Sequence, residues 1–433
     1  MDRVDVLIIV VKAIAAFALW IVATALLIWG ERRIVAKMQQ RIGPNRLGPG
    51  GVLQTLADGA KLFFKEDITP RNIDRPVYLA APFVSALVAM LTFAVIPFGG
   101  SFKLGEREVA LQVWDPNIGL LWVLAMSSLG VYGIVLAGWS SGSKYPLLGG
   151  VRSSAQMISY ELAMGLSLAA VFIHTGTLQS SKIVAAQTGS LFGFLPAWNL
   201  IPMIPAFIIF FVAIVAETQR PPFDLPEAEG ELVAGFHTEY SGAKFAMFFL
   251  AEFMNVITVS AVTVTAFLGG PTGPTPESWE GTIAGALLGV VYFVLKVFIF
   301  IFVFIWLRAT LPRTRYDRLM DLGWKVMLPF ALAWVMITAV VVLFRQQPPA
   351  WWTGQSTRYL IIGVIAAMAL WLIAPVFSRK PRVADGVDAD ADEPLPDGAD
   401  ATTDDADAAT VAHEDAPLDQ ERPPDDVTRE VEN

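Results

Sequence analysis

The chain contains no cysteine. Disulfides, zinc–thiolate centres and cysteine-ligated iron–sulfur clusters are therefore excluded from this polypeptide. Histidine is nearly as scarce: His174, His237 and His413 are the only three. They fall in an outer loop, an acidic loop and the tail, so no pair of intramembrane haem ligands exists. No phosphate-binding loop and no GxGxxG motif stands between a strand pattern and a helix pattern. The expectation is a chain with no catalytic residue, metal site or bound redox cofactor of its own. Charged residues make up only 16% of the chain, where soluble proteins carry about 25%.

What is present is apolar length: 55% of the residues are hydrophobic, and the mean hydropathy is +0.54. The formal net charge of −9 combines two unlike parts. From Asp385 onward there are 18 acidic and 2 basic residues, whereas the rest of the chain carries a surplus of base. Whole-chain charge is therefore no guide to partners, and nucleic acid is not expected among them. A segment of this tail's composition has too little apolar surface to offset ordering entropy. Residues 381–433 are read as an acidic, disordered, cytoplasmic tail.

A membrane-crossing helix needs roughly 20 mainly apolar residues. Nine segments qualify: Val6–Trp29, Tyr78–Ile96, Ile118–Trp139, Ala155–Ile173, Leu200–Ala216, Phe245–Leu268, Ile283–Trp306, Val326–Phe344 and Tyr359–Phe377. The alternation of a membrane β-barrel is absent, and no internal repeat stands out. The fold class is an all-α integral membrane protein with about nine transmembrane helices, long cytoplasmic loops and interfacial helices. Residues 1–380 form its polytopic domain, with a core of eight spans over about 6–344 and an extra ninth over about 359–377. The first span lacks a cleavage site and is read as a retained helix. Most Lys and Arg in the connections fall after spans 1, 3, 5, 7 and 9. The positive-inside rule then places the N-terminus outside and the tail in the cytoplasm.

Three loops on the basic side are unusual. Glu31 to Pro70 starts with Arg32, Arg33, Lys37, Arg41 and Arg46, and breaks at Gly43-Pro44-Asn45 and Gly48-Pro49-Gly50-Gly51. Within it, Val52–Phe64 reads as an amphipathic helix lying in the interface. Glu217 to Tyr240 is acidic where the rule favours base. Glu217, Asp224, Glu227, Glu229, Glu231 and Glu239 face only Arg220. Carboxylates this close repel one another, which suits proton uptake or relay, although a solvated acidic loop has the same composition. Arg308 to Lys325 reads as a basic interfacial hinge or as headgroup anchoring.

Charges inside spans cost roughly 2.5–3.5 kcal/mol each at a helix centre. Glu161 and Glu252 sit roughly 9–10 Å into their spans from the basic side, at 1.5 Å per residue, and Glu217 closes span 5 there. Lys12 is expected to snorkel outward. Lys296 is too deep for that and is expected to face the bundle, against a carboxylate. Structural pairing accounts for each charge singly. Taken together, the acids leading down from the acidic loop read as a proton path.

Five stretches carry a resemblance: ERR to QRIGPN (Glu31–Asn45), LADGAKLFFKE (Leu56–Glu66), GGVRSSAQMISYE (Gly149–Glu161), ETQRPPFDLPEAEGELVAGFHTEY and LPRTRYDRLMDLGWK (Leu311–Lys325). With these, the chain resembles a membrane-subunit family of NADH-quinone oxidoreductase, respiratory complex I. That family is the equivalent of mitochondrial NADH dehydrogenase subunit 1, which joins the hydrophilic arm to the proton pump. The resemblance covers about Val6 to Phe344. The family's ETNR segment usually has Asn where this chain has Gln219.

The resemblance implies that the chain forms much of a quinone chamber and couples quinone reduction to proton translocation. The substrate is menaquinone or ubiquinone, while FMN and iron–sulfur clusters belong to partner subunits. Arg32, Arg41, Asp58, Lys61, Arg152 and Phe223 are implied to border the chamber. Glu161, Glu217, Asp224, Glu227, Glu229, Glu231 and Glu252 are implied to form the proton connection. The implied partners are hydrophilic-arm subunits carrying the terminal iron–sulfur cluster, small membrane subunits, antiporter-like pump subunits and membrane lipid. The implied location is the bacterial cytoplasmic (inner) membrane. The alternatives are a related subunit of a membrane-bound hydrogenase or formate hydrogenlyase, and a stand-alone proton-coupled transporter. The full Glu31–Glu66 set argues against the first, and the absence of repeats and paired broken helices against the second.

Overall fold

Within a bilayer every backbone polar group needs an internal partner, so apolar stretches of this length fold as helices. The computed structural model describes residues 3–105, 107–191, 195–225, 232–279, 281–347 and 363. The described residues lie within one unit, Met1–Ser378. Glu227, Glu229, Glu231, the tail and the expected ninth span (but for Gly363) lie outside them.

The helices in chain order are α1 (Arg3–Met38), α2 (Gln54–Phe64), α3 (Arg75–Phe93), α4 (Gly119–Ser140), α5 (Lys144–Thr175), α6 (Ser180–Ala185) and α7 (Ile204–Glu217). There follow α8 (Gly242–Phe267), α9 (Ile283–Thr310), α10 (Tyr316–Asp321) and α11 (Leu328–Gln346), with a π-helical turn, Leu322–Met327, joining the last two. The expected fold class holds, since seven helices among the described residues are long and apolar enough to cross a membrane. The fifth expected span differs in that its helix, α7, has only 14 residues, about 21 Å at the helical rise. Two helices outrun their expected ends. α1 continues past Trp29 to Met38, so Glu31, Arg32 and Arg33 ride on a helix. α5 starts at Lys144, which puts Arg152, Ser153 and Gln156 on a helix as well.

The connections gather at two ends, as alternating spans require. At one end a small antiparallel hairpin, β1 (Ser101–Leu104) and β2 (Arg107–Ala110), lies against the start of α1. Arg107 pairs with Asp5 at 2.6 Å. Lys12 reaches the same hairpin region, donating to the Ala110 and Gln112 carbonyls at 3.3 and 3.0 Å. At the opposite end, the Asp74 amide donates to Ser140, the Tyr78 hydroxyl to the Glu239 carbonyl, and the Thr314 amide to Pro222. The core between them centres on Trp20, Tyr160, Leu168, Phe210 and Phe267, all nearly inaccessible. Outward faces remain apolar, as on α9 at Leu295 and Phe298. Gly149 lets α5 meet the chain at 235–236, because a Cβ there would stand 2.7 Å from the Gly235 carbonyl carbon.

Candidate functional site

The amphipathic helix expected over 52–64 forms as α2. Leu56, Phe63 and Phe64 are exposed, while Thr55 donates to the Ala25 carbonyl of α1 at 3.2 Å. Asp58 faces α1 and forms an ion pair with Arg32. Gln54 donates to Asp58 at 3.1 Å, and Lys61 stands 3.9 Å from it. Burial alone would push the Asp58 carboxyl up. The hydrogen bonds from Arg32 and Gln54 and the charges of Arg32 and Lys61 outweigh that and hold it below the usual carboxylate range.

Behind Arg32 is a polar cavity of about 250 Å³. Glu31, Arg32, Arg220, Asp224, Glu252 and Arg308 line it with charge. Arg220 comes from the acidic loop yet is only 6% exposed. Its Nη1 lies 3.4 Å from Glu31 Oε1 and its Nη2 3.0 Å from Glu252 Oε1. The guanidinium rests on the Phe253 ring, 4.3 Å from the centroid. Arg308, from the end of α9, also pairs with Glu31. The result is an alternating chain of charge, Arg308–Glu31–Arg220–Glu252, drawn from α9, α1, a loop and α8. Such alternation offsets part of the desolvation that isolated buried charges incur.

Glu252 and Gln219 also line a second, mostly apolar cavity. Its polar members include Ser127, Glu217, His237 and Asn255. Ser127 Oγ donates to Glu217 Oε1 at 2.7 Å, and the next residue on α4, Ser128, donates to Glu161. Successive helical residues point about 100° apart. Ser127 thus holds an interior carboxylate and Ser128 one nearer the surface.

His237 is half-buried against Phe236 and Phe245, at centroid distances of 4.8 and 5.3 Å. Burial pushes its pKa down to about 4, so the imidazole is neutral at ordinary pH. Tyr240 stacks on Tyr78 at 4.1 Å, and burial pushes its phenol up to about 12.

The structure therefore brings together Arg32, Asp58 and Lys61 on one side, and Glu217, Asp224 and Glu252 around the cavities, with Glu161 held by Ser128 beside the Ser127–Glu217 pair. Arg41, Arg152 and Phe223 are not brought to either cavity. Arg41 donates to Gln39 at 2.7 Å on the surface. Arg152 sits half-buried on α5. Phe223 is buried, 5.9 Å from the Tyr160 ring. Among the described residues, Lys296 does not meet a carboxylate. Its ammonium donates to the carbonyls of Leu268, Gly270 and Thr272 at 2.8, 3.0 and 2.8 Å, beyond the end of α8. Free helix-end carbonyls are negative and attract a cation. Sequence reasoning missed Glu31 and Arg308 as site members. The available signal was that both end apolar spans on the same predicted side.

These features define a class: an all-α polytopic membrane protein whose buried charges converge at one end of the bundle. The model of the NADH dehydrogenase family matches residues 11–339. The chain belongs to that family, which comprises the subunit 1 type of membrane chain in complex I. It is a membrane subunit of that oxidoreductase complex, and other complex I subunits are its partners.

Proposed function

We propose that the chain forms the membrane part of the quinone chamber and couples quinone reduction to proton translocation. One observation carries this reading: Glu252 and Gln219 border both the polar cavity beside Arg32 and the cavity holding Glu217. A quinone taking electrons must also take protons, and its charge changes are felt by nearby ionisable groups. In a low-dielectric interior such a change shifts proton occupancy along a connected set of carboxylates. On this reading Arg32, Asp58 and Lys61 border the quinone's path. Glu252, Glu217 and Glu161, with Ser127 and Ser128, carry the proton connection away from it. Arg41, Arg152 and Phe223 stay assigned to the chamber border, and Asp224, Glu227, Glu229 and Glu231 to the proton connection.

The quinone is menaquinone or ubiquinone. Electrons arrive from NADH through FMN and iron–sulfur clusters in hydrophilic-arm subunits. Small membrane subunits and antiporter-like subunits receive the coupling. The setting is the bacterial cytoplasmic membrane, with the cavity end and the acidic tail in the cytoplasm and the N-terminus outside.

The test is Glu217→Gln in the assembled complex reconstituted in vesicles. NADH oxidation by a water-soluble acceptor should persist, while quinone reduction and proton uptake fall together. Normal quinone-linked pumping in that variant overturns the proton role of Glu217.

A further inference from the structure

The acidic loop from Glu217 to Leu225 presents side chains to both cavities, so its path is held by something. The residue that holds it is Gln156 on α5, which is fully buried. Its Nε2 donates to the carbonyl of Ala216 at 2.8 Å and to that of Phe223 at 2.8 Å. Both partners are acceptors only, so the amide nitrogen, not the oxygen, must face them. The two carbonyls directly precede Glu217 and Asp224. One side chain thus fixes the backbone in front of two acids.

The neighbouring residues of α5 act on the same stretch. Ser153, one turn earlier on that face, accepts from Gln219, whose amide also lies 3.0 Å from the Met157 sulfur. Gln219 has a φ of 53°, in the left-handed region that non-glycine residues seldom adopt without outside support. The Phe223 amide donates to the Arg220 carbonyl at 2.9 Å, closing the turn that delivers Arg220 to Glu31 and Glu252.

We propose that Gln156 is a positioning residue for proton coupling. Its double donation holds Glu217 at the apolar cavity and Arg220 and Asp224 at the polar one in a fixed relation. The proposal rests on the coupling role given above to these acids. It adds that their relative placement, and hence their proton affinity, depends on a neutral side chain that touches neither cavity.

The experiment uses the assembled complex in vesicles with Gln156→Met and Gln156→Glu. Methionine keeps the volume and removes both donors. Glutamate keeps the shape and supplies at most one. Activities are normalised to complex content, and the pH profile of quinone-linked proton uptake is the deciding readout, since a merely structural residue would leave it unmoved. Gln156→Met should shift that profile by roughly half a pH unit or more and lower the uptake rate by about threefold or more, and Gln156→Glu, which adds a carboxyl beside Glu217 and Asp224, should shift it as well. A wild-type profile per assembled complex, or loss of assembly in both variants with normal turnover in what remains, overturns the proposal. Glu217→Gln run in parallel separates the two ideas. If it is impaired while Gln156→Met is not, only the positioning role fails. If it pumps normally, the coupling reading itself fails.

Discussion

Arg220 stands between Glu31 and Glu252, 3.4 and 3.0 Å from their carboxylate oxygens, and so ties α1 to α8 through a loop residue. Without Arg220, Glu31 keeps Arg308 while Glu252 loses its cation, and breaking a buried pair in this way costs about 3–5 kcal/mol. Arg220→Met should therefore lower the amount of assembled complex and its resistance to heat. Adding Glu252→Gln should recover part of the loss, because the two sites interact directly. Equal loss in the single and double variants would show that the pair is not what Arg220 supports.

His237 gives a pH dependence with a defined sign. Its folded-state pKa is about 4, against an ordinary 6.5. A group depressed on folding contributes stability that is present above its unfolded value and is lost as pH falls through the window to the folded value. Stability should thus fall between pH 6.5 and 4, by at most about 1.4 kcal/mol per pH unit from this residue. His237→Phe, which fits between Phe236 and Phe245, should flatten that part of the profile. Thermal unfolding of the purified complex across this range measures it.

Lys296 binds three carbonyls beyond the end of α8. Lys296→Met should cost on the order of 3 kcal/mol through lost charge-assisted hydrogen bonds. It should leave the pH profile of quinone-linked proton uptake unchanged. Limited proteolysis near residues 268–272, together with that profile, checks both halves of the expectation.

The Arg32–Asp58 pair is half-exposed and is worth about 0–1 kcal/mol in stability. Asp58→Asn should therefore assemble normally. If the pair borders the quinone's path, the variant should change the quinone KM by several-fold more than it changes NADH oxidation by a soluble acceptor. Titration with short-chain quinones measures the difference.

Much of this was legible along the chain. The α2 helix followed from the spacing of Leu53, Leu56, Ala60, Phe63 and Phe64, because amphipathic periodicity is a local property of the chain. The core spans came from apolar length in the same way. The ends of α1 and α5 did not, because charged and polar residues at a helix end have the composition of a loop. The partners of Lys296 were missed because carbonyl ends of another helix leave no mark in side-chain sequence. Glu31 and Arg308 are 277 positions apart, and no local pattern joins them.

The sequence by itself determined the membrane helices, their alternation between two ends and the supply of acids at one of them. Each depends on the transfer of a single stretch of chain into an apolar medium. Tertiary structure decided which acid meets which cation, that Lys296 is held by carbonyls, and that Gln156 clasps the acidic loop. A buried polar group is stabilised only by a partner at hydrogen-bonding distance, and in a bundle that partner comes from another helix.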